Sequence, residues 1–166
     1  PSSTKLNLGC GKKKIPEFIN VDINPKVNPD IIADLNKFPW PFENEMADYI
    51  LMDNVIEHLD DILKVVKELY RILKKGGIAE IIVPYWLSRG AHEDPTHKHT
   101  FSEKSFDFLK KGTTTNFYTD TKFDVEVERV WGTGLKLKLL RKILGDEIAS
   151  LIPNAVINLR FYLIKK

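Results

Sequence analysis

One cysteine, four histidines and no apolar run near the roughly 18 residues of a membrane helix limit what these 166 residues can be. Cys10 has no second thiol to pair with, so a disulfide-stapled secreted scaffold is excluded. With no secretory apolar core either, the chain reads as cytoplasmic and not membrane-bound. Charge of one sign is also lacking: 25 basic against 23 acidic side chains leave +2, too little to demand a polyanionic partner. Repeats and low-complexity segments are absent, and the length suits a single domain over residues 1–166. Histidine is scarce but not scattered, because His92, His97 and His99 fall together.

A further absence is local. Residues 5–24 read KLNLGCGKKKIPEFINVDIN, a strand-like run, a glycine pair and a second strand-like run ending at Asp22. A dinucleotide loop needs a third glycine, a helix aimed at the pyrophosphate and an acid about 20 residues further on. Here three lysines and a proline fill a gap too short for a turn, a helix and a strand. A Walker-type phosphate loop is missing as well. The ligand implied carries an adenosine but no phosphate chain.

What is present alternates between strand and helix patterns. Leu6 and Leu8 lead into Gly9, Phe18 to Asp22 forms a second strand, and Ile31-Ile32-Ala33 a third, closed by Asp34. A proline-punctuated loop covers Asn36 to Glu45, and Tyr49 to Met52 is a continuous apolar run of the parallel-sheet kind. Leu59, Ile62, Leu63, Val66, Leu69, Tyr70 and Leu73 then recur at helical spacing, with Asp60 or Asp61 as cap and Gly76 as stop. Ile78 to Val83 reads as a strand, and Ser102 to Lys110 as a short helix stapled by Phe101 and Phe106 and ended by Gly112. Two alternating strands, one around Val125 and one around Leu159 to Leu163, flank a lysine-rich helix over Leu135 to Leu144. The pattern predicts an α/β sheet with an antiparallel end.

In open α/β sheets the ligand lies beyond the carboxyl ends of the strands. The strand ends here are Gly9-Cys10-Gly11, Asp22 with Ile23 after it, Asp34, and Asp53-Asn54. Glycines admit backbone amides close to a ligand, and an acid after the second strand can accept from both hydroxyls of a ribose. An acid after the third strand can accept from an exocyclic amine.

LNLGCG, VDI and ADLNKFPWPFENEMADYILMDNVIEHLDDILKVVKELYRILKKGG together resemble the class I, seven-strand, Rossmann-like S-adenosylmethionine-dependent methyltransferases, in the branch with an EHL segment. The likeness is close from Leu6 to Val83 and looser to Phe106. It implies a three-layer α/β fold, a mostly parallel central sheet with an antiparallel strand at one end, and a shortened first helix. It also implies S-adenosyl-L-methionine as cofactor. Gly9, Cys10 and Gly11 would line the amino-acid end, Asp22 and Ile23 the ribose, Asp34 and Leu35 the adenine, and Asp53 and Asn54 the methionine portion. Asn7 stands where such proteins usually carry an acid, and Lys13 where a third glycine is common.

Methyl transfer from a sulfonium is an in-line displacement, so the protein mainly positions two reactants and supplies a base where the acceptor loses a proton. Ala91-His-Glu-Asp-Pro-Thr-His-Lys-His99 follows the strand that ends near Pro84 and would overhang the cleft. His97 is the expected base, with Asp94 orienting it and His58 as a second contender. The plainer alternatives are a packed His58 and a solvated loop. No metal is assigned, although His92, Asp94, His97 and His99 carry metal-ligand chemistry. Pro84, Tyr85, Trp86, Phe101, Phe106 and Phe108 serve either as an acceptor wall or as core. The reading is transfer to an O or N atom of a small molecule by a monomer or homodimer. Nucleic-acid or protein methylation and a non-catalytic cofactor-binding subunit are the alternatives; the lysine runs sit with leucines in LKLKLLRKILG, as a solvated helix face or dimer surface would.

Overall fold

The computed structural model describes residues 3–112 and 118–166. Seven strands form one sheet: β1 (Lys5–Leu8), β2 (Ile19–Asp22), β3 (Ile31–Ile32), β4 (Ala47–Asp53), β5 (Leu73–Pro84), β6 (Phe123–Trp131) and β7 (Val156–Lys165). Their spatial order is β3-β2-β1-β4-β5-β7-β6. The pairings among β1 to β5 are parallel, while β7 runs antiparallel to both β5 and β6. The mostly parallel sheet with an antiparallel end is therefore as expected, and β7 sits one place in from the edge. Strand order reverses between β1 and β4, which places the ligand crevice at their carboxyl ends.

Alternation shows which face of the sheet carries the core. Along β5, Ala79, Ile81 and Val83 are fully buried while Ile78, Glu80 and Ile82 between them are partly exposed; β7 repeats this with Leu159, Phe161 and Leu163. Leu6, Leu8, Ile50 and Met52 continue the sealed side in register. Helix α1 (Ile62–Ile72) covers it with Val65, Val66, Leu69 and Ile72, joined by Trp40, Phe42, Phe101 and Phe106 in one cluster. The other side is thinly covered, because the first helix is shortened all the way to a loop over residues 9–18. Phe18 of that loop meets Tyr49 edge-on at 6.0 Å.

Several local expectations shift by a turn or more. Of the two expected caps of α1 it is Asp61 that serves, accepting from the Lys64 amide, while other expectations move further. The helix stops at Ile72 and the chain enters β5 directly, so Gly76 (φ +76°) lies within the start of a strand rather than at a helix end. From Ser102 to Lys110 only a 3-10 turn over Asp107–Leu109 forms, although the Phe101 and Phe106 rings do meet, stacked 5.8 Å apart in the core. A four-residue helix, α2 (Gly90–Glu93), precedes the histidine loop. The lysine-rich helix α3 (Leu135–Ser150) is longer than predicted and breaks at Gly145 (φ +75°), with Arg141 and Asp146 paired at 2.9 Å across the break. Leu135, Leu139, Ile143 and Ile148 on α3 are exposed.

The proline-punctuated loop is anchored by one ionic network. Glu68 of α1 accepts from the Trp40 amide at 2.7 Å, and Arg71 donates to Glu68 and to the carbonyls of Trp40 and Phe42. The Trp40 indole in turn donates to the Leu35 carbonyl at 3.0 Å. By these bonds a loop without regular structure is held rigidly enough to form one wall of the crevice.

Candidate active site

The carboxyl ends of β1, β2 and β4 enclose a cavity of about 280 Å³ lined by Gly9, Asp22, Ile23, Asp34, Leu35, Asn54 and His58, among others. Gly9 has φ +71°, and a Cβ placed there would lie 2.5 Å from Val55 Cγ2. Only glycine satisfies both that conformation and that approach. The Gly9 and Cys10 amides both bond the Val21 carbonyl, which ties the glycine turn to the end of β2. Asp22 accepts from the Gly11 amide and the Asn24 amide, each at 2.8 Å. Each carboxylate oxygen can take a second hydrogen, so Asp22 still has acceptor capacity toward the cavity. Asp34 accepts from the Asn36 amide at 3.0 Å, and Leu35 beside it is buried.

A second cavity of about 200 Å³ lies on the other side of Gly9, lined by residues including Asn7, Cys10, Lys13, Leu51 and Asp53. Asn7 explains the departure from an acid at this position. Its Nδ2 donates to the Lys13 carbonyl and to Asn20 Oδ1, both at 3.0 Å, so it braces the loop from below. A carboxylate there would set acceptor against acceptor. Burial pushes the Cys10 thiol above its ordinary range, so it is a packing group rather than a nucleophile. Lys13 pairs with Asp53 at 3.0 Å and Lys14 with Asp30 at 2.9 Å, so two of the three loop lysines have partners as well as contact with water. Asn54, at φ +54°, turns the chain at the end of β4 and donates to Asp53.

Beyond Asn54 the chain makes a 3-10 turn over Ile56–His58, and here three groups converge that lie far apart in sequence. One ligand atom each from Glu57, His58 and His97 lie within 4.8 Å of one another. The two imidazoles meet edge-on at 4.7 Å, and His97 Nε2 stands 4.0 Å from Glu57 Oε1. Glu57 is fully buried, and neither carboxylate oxygen has a hydrogen-bond partner among the described residues. Burial pushes its carboxyl up to about 7, with the charges of Asp53 and Asp94 acting in the same direction. His58 also lines the larger cavity, so the cluster adjoins that cavity through His58.

The histidine loop arrives at this point by specific bonds. The Lys98 amide donates to the Glu57 carbonyl at 2.8 Å, and His99 Nε2 contacts the Leu59 carbonyl at 2.9 Å. Asp94 does not bond His97, as had been expected of it. Its Oδ1 accepts from the Thr96 amide and hydroxyl, and the hydroxyl oxygen meets His58 Nδ1 at 2.9 Å. Asp94 thus reaches His58 through Thr96, and the acid beside His97 is Glu57. The four-residue set His92, Asp94, His97 and His99 does not converge either, because His92 Nε2 is at the Trp86 carbonyl, 2.9 Å away. Of the aromatic wall, Tyr85, Phe101 and Phe106 belong to the core and Trp86 is exposed.

Glu57 is the site residue that sequence reasoning missed. It stands inside the EHL segment, but an acid next to a histidine in a polar stretch carries no sign of its burial. That burial depends on residues 91–99 folding back over the turn.

A sheet in the order β3-β2-β1-β4-β5-β7-β6 with one antiparallel strand and acids at its ligand-facing ends is the fold of the class I S-adenosylmethionine-dependent methyltransferases. Residues 6–81 match the family described as Methyltransferase domain. The chain is similar to a SAM-dependent methyltransferase from Archaeoglobus fulgidus, with 18% identity, TM-score 0.74, and 98% of this chain and 86% of that one covered. It is also similar to a SAM-dependent methyltransferase from Thermotoga maritima described as a possible histamine N-methyltransferase (20% identity, TM-score 0.62, 100% and 83% covered). A third similar structure is a methyltransferase from Haloferax volcanii in complex with the Trm112 methyltransferase activator (13% identity, TM-score 0.63, 99% and 83% covered). No curated protein sequence matches the chain. The chain thus has the fold of the S-adenosylmethionine-dependent methyltransferases, and its residues 6–81 match the methyltransferase-domain family; S-adenosylmethionine is the cofactor of such enzymes. No helix among the described residues is long and apolar enough to cross a membrane.

Proposed function

We propose that the chain, acting as one cytoplasmic domain, transfers the methyl group of S-adenosylmethionine to an oxygen or nitrogen atom of a small-molecule acceptor. The observation that carries this reading is the position of His58, which lines the 280 Å³ cavity and also belongs to the cluster with Glu57 and His97. A cofactor in that cavity and an acceptor beside the cluster would meet at one place. Asp22 with Ile23 would hold the ribose, Asp34 with Leu35 the adenine, and Gly9, Cys10, Gly11, Asp53, Asn54 and Asn7 the amino-acid end.

In the reaction the acceptor's lone pair forms a bond to the methyl carbon as the carbon–sulfur bond breaks and its electrons return to sulfur. A hydroxyl or ammonium acceptor must also lose a proton, and the Glu57, His58 and His97 cluster is where that proton leaves. His97 remains the favoured acceptor-side base, next to Glu57, with His58 oriented by Thr96 and Asp94. The exposed apolar residues of α3 leave room for a homodimer or a protein partner.

Two measurements test the reading. S-adenosylhomocysteine is expected to bind, and Asp22→Ala to weaken it at least tenfold, since a charge-assisted pair of hydrogen bonds to the ribose is lost. Unchanged affinity in that variant, measured by calorimetry, removes Asp22 from the cofactor site. A labelled-methyl screen over small-molecule, RNA and protein pools is expected to give a small-molecule product that His97→Ala reduces at least a hundredfold. A product appearing only in the RNA pool would overturn the acceptor class, and an undiminished product would overturn the role of His97.

A further inference from the structure

We infer that Glu57, His58 and His97 form a three-ligand site for one divalent transition-metal ion, placed beside the methyl-acceptor position. The inference rests on the methyltransferase reading for its purpose but not for its geometry.

Proton bookkeeping around the three side chains carries the argument. The Thr96 hydroxyl gives its only hydrogen to Asp94 Oδ1 at 2.6 Å, so toward His58 its oxygen can only accept. His58 Nδ1, 2.9 Å away, therefore carries the hydrogen, and Nε2 is left with a bare lone pair. His97 Nδ1 faces the Ala91 carbonyl at 3.4 Å, which also only accepts, so its Nε2 is bare too and points toward Glu57. Glu57 contributes two buried oxygens with no partner among the described residues. Two imidazole lone pairs and a buried carboxyl group thus converge, with no hydrogen bond to the Glu57 oxygens from any described residue. A set of three such donors is matched by one positive centre between them, and a metal ion engages all three where a single proton engages two.

The spacing and the chemistry both fit a metal ion. Ligand atoms at about 2.1 Å around a tetrahedral ion stand roughly 3.4 Å apart, so separations that now lie within 4.8 Å close by at most about 1.4 Å, shared between two side chains. Two imidazoles and one carboxylate suit zinc or manganese rather than magnesium or calcium. The Thr96 and Ala91 bonds are the outer-shell partners that metal-binding histidines use to fix their tautomer. His92 and His99 each spend Nε2 on a backbone carbonyl, which is why they stand outside the site.

Three protein ligands leave a coordination position open, as in catalytic rather than structural sites. With the ion bound, His97 serves as a ligand in place of acting as the base, so an acceptor hydroxyl held there would lose its proton to solvent, and its oxygen would then take the methyl carbon as the carbon–sulfur bond breaks. The balance is hydroxyl plus sulfonium giving methyl ether, thioether and one proton. This narrows the acceptor to one with a hydroxyl group.

The test uses protein purified without a histidine tag, stripped with chelator and titrated with Mn²⁺ by electron paramagnetic resonance and with Zn²⁺ by competition against a chromophoric chelator. The expected result is one ion per chain, with a dissociation constant of about 1 μM or tighter for Zn²⁺. Glu57→Gln and His97→Ala are expected to weaken it at least a hundredfold, Thr96→Val about tenfold, and His92→Ala not at all. S-adenosylhomocysteine binding is measured on the same stripped protein and variants, where it should persist; this also reports that each variant is folded. Absence of stoichiometric metal with S-adenosylhomocysteine binding intact overturns the metal site and leaves the methyltransferase reading standing. Stoichiometric metal that Glu57→Gln or His97→Ala leaves unchanged likewise overturns the site. Metal bound as expected with no S-adenosylhomocysteine binding supports the site and overturns the methyltransferase reading.

Discussion

Gly9→Ala is expected to lower the free energy of unfolding by about 3 kcal/mol and to abolish measurable S-adenosylhomocysteine binding. Two separate costs combine. An alanine held at φ +71° pays for a left-handed conformation, roughly 1–2 kcal/mol. Its methyl group also meets Val55 Cγ2 at 2.5 Å and Cγ1 at 2.8 Å, and forcing such an overlap apart costs roughly 1–3 kcal/mol. The cofactor effect follows because Val55 and Gly9 both line the larger cavity, so relieving the overlap moves its floor. Urea denaturation separates the two terms when Val55→Ala is added. The double variant should relieve the overlap, since both clashing Val55 methyls are gone, but retain the backbone strain. If Gly9→Ala unfolds at the same urea concentration as the parent, the close approach to Val55 is not real.

The second large effect belongs to Glu57 and depends on pH. Burial raises its carboxyl to about 7 in the folded chain, against an ordinary value of 4.5. Between these values the folded state keeps a proton that the unfolded state has released, so stability falls as pH rises through the window and levels off above it. The shift corresponds to a loss on the order of 3 kcal/mol by pH 8. Glu57→Gln cannot titrate. In chelator-treated protein the variant should therefore gain on the parent by about that amount between pH 4 and pH 8, whatever constant offset the amide introduces. Chemical denaturation at pH 4, 6 and 8 checks this. A stability difference that stays constant across the three values would mean that Glu57 is not held in the buried environment described.

The two residues illustrate what sequence reading reaches. Gly9 could be singled out because a glycine after a short apolar strand is a local pattern, and the demand for positive φ is met within two residues. The strand ends at Asp22, Asp34 and Asp53 were legible for the same reason: a strand announces itself by alternation and its end by the first turn residue. Glu57 was not legible, since nothing within four residues of it says whether the chain between Arg89 and His99 folds over it. Asp94 was placed in the right loop and given the wrong neighbour, because a shift of one residue along an irregular backbone decides whether a carboxylate meets Thr96 or His97. The Ser102 to Lys110 segment shows a related limit. Its cap-like serine and spaced phenylalanines satisfy a helix pattern and the two rings do stack, yet the chain there makes only a 3-10 turn.

The sequence by itself determined the α/β sheet, its antiparallel end and the row of glycines and acids along the crevice, because each depends on short-range patterning within a few residues of the backbone. The gap too short for a first helix was also legible in the sequence; only the tertiary structure decided that Asn7 braces the loop over residues 9–18 and that Glu57, His58 and His97 converge. Those outcomes turn on contacts between segments some 40 residues apart for Glu57 and His97, and on the burial that such contacts create. Burial is a property of the packed chain, which no single segment carries.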